Sequence, residues 1–67
     1  MGMNSTLKLA IFNSGHSQIE IAKKVGIHET RLSKIVRGHV EPSADEQRVL
    51  ARVLRKPAEE LFAQQVA

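Results

Sequence analysis

Apolar positions recur along this chain at helical spacing, and no stretch alternates with period two. Leu7 and Ile11 stand one helical turn apart with Ala10 beside them, which predicts a first helix from about Ser5 to Asn13. A second helix opens on Ser17-Gln18-Ile19-Glu20. Serine there can accept from a free backbone N–H while the glutamate reaches back, the pattern of a capping box. Ile21, Ala22 and Val25 form its apolar face, and Gly26 ends it. The third helix is expected from about His28 to Arg37. At 100° per residue, His28, Leu32, Ile35 and Val36 fall in an arc about 100° wide. Thr30, Lys34 and Arg37 lie opposite, with Ser33 and Glu29 on one shoulder and Arg31 on the other. Pro42 and a second capping box, Ser43-Ala44-Asp45-Glu46, introduce a fourth helix with Leu50, Val53 and Leu54 on its core face. Pro57 suits the first position of a fifth, where Glu59 and Glu60 favour the N-terminal end of the dipole. Gly15, Gly26 and Gly38 each follow an apolar-periodic run, where a left-handed cap is expected. The expected fold is all-α: a compact five-helix domain over residues 1–67, with its core at about 5–63.

Composition narrows the function. A chain of 67 residues makes one small domain at most, and 42% apolar with 25% charged residues is an ordinary globular balance. Cysteine is absent, which removes disulfides, thiolate zinc sites and a thiol nucleophile, and fits a reducing, cytoplasmic setting. No apolar run is long enough to span a membrane. The net charge of +3 is unevenly placed. Residues 23–40 hold Lys23, Lys24, Arg31, Lys34 and Arg37 against Glu29 alone, so this one segment carries the whole excess. A local basic patch suits a polyanion; charge alone reads equally well as a solvated face.

The spacing of the second and third helices decides between those readings. A short helix, a turn at glycine and a second short helix is a helix-turn-helix arrangement. Ala22 keeps the first helix thin where the second crosses it, and Ile27, Leu32 and Ile35 anchor the second from beneath. What stays outside is a helix about 10–12 Å wide, which the major groove of DNA admits. With Ser17-Gln18, Ile21-Ala22-Lys23-Lys24-Val25-Gly26-Ile27, Leu32-Ser33-Lys34-Ile35, Arg37-Gly38, Pro42-Ser43 and Leu50-Ala51…Leu54, the chain resembles the phage-repressor/Cro family of helix-turn-helix regulators from Leu7 to Phe62. The resemblance implies a repressor-like domain bound to double-stranded DNA. It implies that Gln18 contacts the DNA backbone, that Glu29, Thr30, Ser33 and Lys34 read bases, and that Arg37, His39 and Val40 meet the backbone after the third helix.

The chain departs from that pattern at several places. His16 stands where the family has an apolar residue. Ile11 and Val36 stand where it often pairs an arginine with a glutamate. Both partners are apolar together, so no charge is left buried alone, an exchange that proteins tolerate well. Gln47 and Arg48 occupy frequent leucine positions, and Arg55 occupies a usual glycine position.

Side-chain chemistry refines the roles. Lys34 only donates, so it suits the O6 and N7 acceptors of guanine; the methyl of Thr30 suits a thymine methyl. Glu29 is open to two readings: a cytosine amino group, or simple stabilisation of the helix N-terminus. Arg31 joins Gln18, Arg37 and His39 as a phosphate-binding candidate; Lys23 and Lys24 read as solubilising charges. The three histidines are too widely spaced to chelate, and no serine has a base and acid arranged beside it. Neither metal, cofactor nor enzymatic activity is therefore expected. Met1-Gly2-Met3-Asn4-Ser5-Thr6 fits an N-myristoylation pattern, one short enough to be met by chance. A single module this small suggests a homodimer on a two-fold site, with Val49, Leu61, Phe62 and Val66 as candidate contacts. Leu61 and Phe62 have the alternative of closing the bottom of the core. The competing function is a protein-interaction module, such as the antitoxin half of a toxin–antitoxin pair.

Overall fold

The computed structural model describes residues 3–63 and places five helices along them. These are α1 (Ser5–Asn13), α2 (Gln18–Val25), α3 (Glu29–Val36), α4 (Ala44–Leu54) and α5 (Ala58–Phe62). Among the described residues there is no strand, and no helix is long and apolar enough to cross a membrane. Both capping boxes form. Ser17 Oγ accepts from Glu20 N at 3.1 Å while Ser17 N donates to Glu20 Oε1 at 2.8 Å. Ser43 and Glu46 repeat the exchange at 3.1 and 2.8 Å.

Gly26 ends α2 at φ +88°, in the left-handed region. A β-carbon there would meet nothing within 4 Å, so the glycine answers to backbone conformation and not to crowding. The chain then turns directly into α3. Pro57 differs from expectation by one position. It is the N-cap of α5 with extended backbone, and the helix starts at Ala58.

One apolar cluster holds the helices together. Leu7, Ile21, Leu32, Ile35, Leu50 and Leu61 are fully buried, with Ile11, Val36, Leu54 and Phe62 nearly so. Each such side chain contributes about 1.5–3 kcal/mol relative to exposure. Ile11 and Val36 both join this cluster, so the exchange of an ion pair for two hydrocarbons is absorbed by packing. Gln47 and Arg48 do not disturb α4. Gln47 Nε2 donates to the Pro42 carbonyl at 3.2 Å, and Arg48 pairs with Asp45 on the surface.

Two expectations are corrected by burial. Leu61 is 0% and Phe62 3% exposed, so neither is free to form a dimer contact. α5 packs on α1 and α4, and a core this small needs both side chains to close it. Val49 stays half-buried, and Val66 lies outside the described residues. His28, expected on the buried stripe of α3, is exposed. It serves as the N-cap, its Nδ1 accepting from Thr30 N at 3.3 Å. The apolar surface left open is mainly on α1, where Leu9 and Phe12 are 59% and 78% exposed.

The start of α1 is fastened by a residue that pattern reading passes over. Asn4 is buried; its side-chain oxygen accepts from Leu7 N at 3.0 Å and its Nδ2 donates to the Leu61 carbonyl at 2.8 Å. Its own backbone N–H donates to the Val36 carbonyl at 2.8 Å. One asparagine thus ties α1 to the ends of α3 and α5. Asn4 in the myristoylation-like hexapeptide is accounted for by this structural role; Met1 and Gly2 lie outside the described residues.

Candidate nucleic-acid interface

α3 buries Leu32, Ile35 and Val36 and turns Thr30, Lys34 and Arg37 to solvent, with Glu29, Arg31 and Ser33 half-buried at the flanks. The division follows from helical periodicity, since one stripe is held in the core and the opposite face has nothing packed on it. Among the described residues Lys34 and Arg37 form no ion pair. Their charges are free to meet a polyanion without first breaking a contact.

The N-terminal ends of α2 and α3 are joined. Gln18 Nε2 donates to Glu29 Oε2 at 3.1 Å. The carboxylate only accepts, so the amide must present its nitrogen to it, and this orients Gln18 without ambiguity. Its second N–H and its oxygen remain available. Spacing in the sequence placed these two residues on separate helices and gave no sign of the bond between them.

Arg31 has a partner that sequence reading missed. Its Nε and Nη2 donate to Glu46 Oε2 and Oε1 at 2.6 and 2.8 Å, a bidentate pair between α3 and α4. The same carboxylate oxygen that takes Arg31 Nη2 also accepts from Ser43 N at 2.8 Å. Glu46 therefore caps α4 and clamps α3 at once. In the free protein two of the five guanidinium donors of Arg31 are therefore engaged, which gives a residue expected at a phosphate a bond inside the fold as well. Glu46 was visible from sequence as half of a capping box, but its second role needs the tertiary fold.

The clamp has an electrostatic signature. Hydrogen bonding to Arg31 first, and to Ser43 N next, holds the Glu46 carboxyl at about 2, well below its ordinary 4.5, against an opposing effect of burial. The Arg31 pKa is raised by the same hydrogen bond. Because the folded value of Glu46 is depressed, the stability it contributes is complete above pH 4.5 and lost as pH falls toward 2. The melting temperature of the native chain should therefore fall more steeply across that interval than that of Glu46→Gln. Parallel pH profiles for the two proteins would contradict the clamp.

After α3, Gly38 takes φ +81° and His39 N donates back to the Lys34 carbonyl at 2.9 Å, so the chain leaves the helix in a fixed direction. His39 is exposed at this exit beside Arg37; Val40 leans onto the core. The structure thus brings Gln18 and Glu29 together, displays Thr30, Lys34 and Arg37 on one open face, and leaves Ser33 half-covered at its edge. Nothing among the described residues groups three or more carboxylates, histidines or thiols into a metal site.

A helix-turn-helix family model matches residues 8–61 of this chain, which spans all of α2, α3 and α4. A comparison with curated proteins returns no match.

Proposed function

The chain belongs to the helix-turn-helix family, in its phage-repressor/Cro form, and we propose that it binds double-stranded DNA sequence-specifically as a small transcriptional regulator. The observation that carries this reading is the open outer face of α3, cationic and unpaired, on a helix rigidly seated by Leu32, Ile35 and the Arg31–Glu46 clamp. In this proposal α3 enters the major groove. Lys34, Thr30, Ser33 and Glu29 face base edges, and Gln18, Arg37 and His39 hold phosphates on either side. Gln18, fixed through Glu29, keeps one N–H for a phosphate oxygen, so backbone contact and base contact share a hydrogen bond. Arg31 acts as a positioning residue that sets the angle of α3. A DNA-binding regulatory domain of this kind needs no catalytic chemistry.

Titration of a labelled mixed-sequence duplex at two salt concentrations tests the reading. Affinity should fall as a power of salt concentration. Arg37→Ala should weaken specific and scrambled sites alike and reduce the salt slope by about one. An unchanged slope with altered sequence preference would assign Arg37 to base reading instead. Absence of DNA binding at either salt would favour the protein-interaction alternative.

We also propose that the functional unit on DNA is a homodimer, because one module of this size offers a limited interface. Sedimentation of the chain with its selected duplex should show two copies per two-fold site. A strict one-to-one complex at high micromolar concentration would remove the dimer from the account.

A further inference from the structure

A second cationic feature lies apart from α3. The turn between α1 and α2, the last turn of α2 and the end of α4 border an open cleft of about 590 Å³. Its walls carry His16, Lys24, Arg52 and Arg55, with Val53 as an apolar side and no carboxylate among the lining residues. Among the described residues Lys24, Arg52 and Arg55 form no ion pair. Glu20, beside the cleft, accepts from Ser17 N at 2.8 Å and stands 3.8 Å from His16 Nδ1; its carboxyl is lowered first by the Ser17 bond and then by the charges of His16 and Lys24. Ser14 shapes the rim: its hydroxyl donates to the Ile11 carbonyl at 2.6 Å and accepts from His16 N at 3.2 Å.

One cation at the C-terminal end of a helix is explained by the helix dipole, and that accounts for Lys24 on α2 and Arg52 on α4. The dipole favours a cation at Arg55 too, but it does not account for the backbone conformation there. This residue caps α4 at φ 58°, ψ 43°, and it is the one non-glycine with positive φ among the described residues. Glycine would adopt that conformation freely, whereas an arginine is strained there. Strain of this kind is often kept at functional sites, and here it coincides with a charged residue lining a cleft that already holds like charges.

We infer that this cleft binds a small anion carrying a diphosphate group. The two guanidiniums offer planar donor forks that match phosphate oxygens, and the Lys24 ammonium adds a point charge. Neither α3 nor the loop after it contributes to the cleft, so the site is separate from the proposed DNA face and stands without it. Binding there would give this small domain a ligand of its own.

The test is a titration of the full chain, free of DNA, with sodium pyrophosphate at constant ionic strength, followed by amide resonances. Saturable shifts are expected at Ser14, His16, Lys24 and Arg52 through Arg55, with Thr30, Lys34 and Arg37 unmoved. Sodium sulfate at equal ionic strength should not reproduce them. Adenosine diphosphate as a second probe separates the sources: binding at least as tight assigns the site to esterified diphosphate, and binding by pyrophosphate alone assigns it to the free ion. Arg55→Gly relieves the strain, so it should melt no lower than the native chain and yet bind pyrophosphate at least tenfold more weakly. Arg52→Ala supplies the same reading independently of the α4 cap. Shifts confined to α3, equal shifts with sulfate, or undiminished binding by both variants would overturn the assignment.

Discussion

Replacing Asn4 with alanine is expected to destabilise the domain by roughly 2–4 kcal/mol. Loss of the Asn4–Leu7 cap costs about 0.5–2 kcal/mol, as for other side-chain N-caps. Loss of the Nδ2 donor leaves the buried Leu61 carbonyl without that bond, a further penalty of about 1–3 kcal/mol. A domain of this length has a total stability on the order of 3–10 kcal/mol, so the change takes a large share of it. Urea denaturation of the native chain and of Asn4→Ala measures the loss directly. Asn4→Asp separates the parts, since it keeps the cap acceptor, removes the donor and turns a carboxylate toward the Leu61 carbonyl. It should be no more stable than the alanine variant. A loss below about 1 kcal/mol in Asn4→Ala would mean that the Leu61 carbonyl finds another donor. The same substitution should act on DNA binding only through the folded fraction, because Asn4 is buried and bonds to Leu7, Val36 and Leu61, none of which is a proposed recognition residue.

Much of the architecture is legible in the order of residues because it is decided locally. Ser17 with Glu20 and Ser43 with Glu46 are caps made within four residues, and the left-handed cap at Gly26 is a property of one backbone position. The face of α3 is likewise a local fact: Leu32, Ile35 and Val36 are buried and Thr30, Lys34 and Arg37 exposed, as periodicity predicts. His28 departs from that pattern because a residue at the first half-turn can satisfy a free backbone N–H more readily than it can join the core.

What remained hidden depends on contacts between distant segments. Asparagine ahead of Ser5 is a favoured cap, so half of the role of Asn4 was open to reading. Its bond to Leu61 joins residues 57 apart and could be read only from the fold. Arg31 and Glu46 are 15 apart, and each had a sufficient local explanation, one as a surface cation and the other as a cap. Gln18 and Glu29 likewise gave separate signals that only the crossing of α2 and α3 unites. Leu61 and Phe62 show the same limit. Apolar residues near the end of a short chain suit a core or a partner equally, and the choice follows from whether α1 and α4 leave a gap beneath them.

The largest expected effect on function is at Lys34. It stands exposed and unpaired near the middle of the outer face of α3, and its ammonium donates without accepting. Placed in the major groove it should select a G·C pair through guanine O6 and N7. A homodimer would repeat that contact about 34–36 Å away in the second half-site. Lys34→Ala should therefore cost roughly 1–3 kcal/mol on the preferred site and much less on unrelated DNA, where it removes only part of a general attraction. Gln18→Ala, by comparison, should weaken both duplexes, because the proposed phosphate contact carries no sequence information. The decisive measurement uses a duplex selected from a random pool by the native chain, and a scrambled duplex of the same composition. Each is titrated with the native protein and with Lys34→Ala at one salt concentration. A loss concentrated on the selected duplex is the result expected if α3 reads bases. Equal losses on the two duplexes would contradict that claim and make Lys34 one more phosphate anchor.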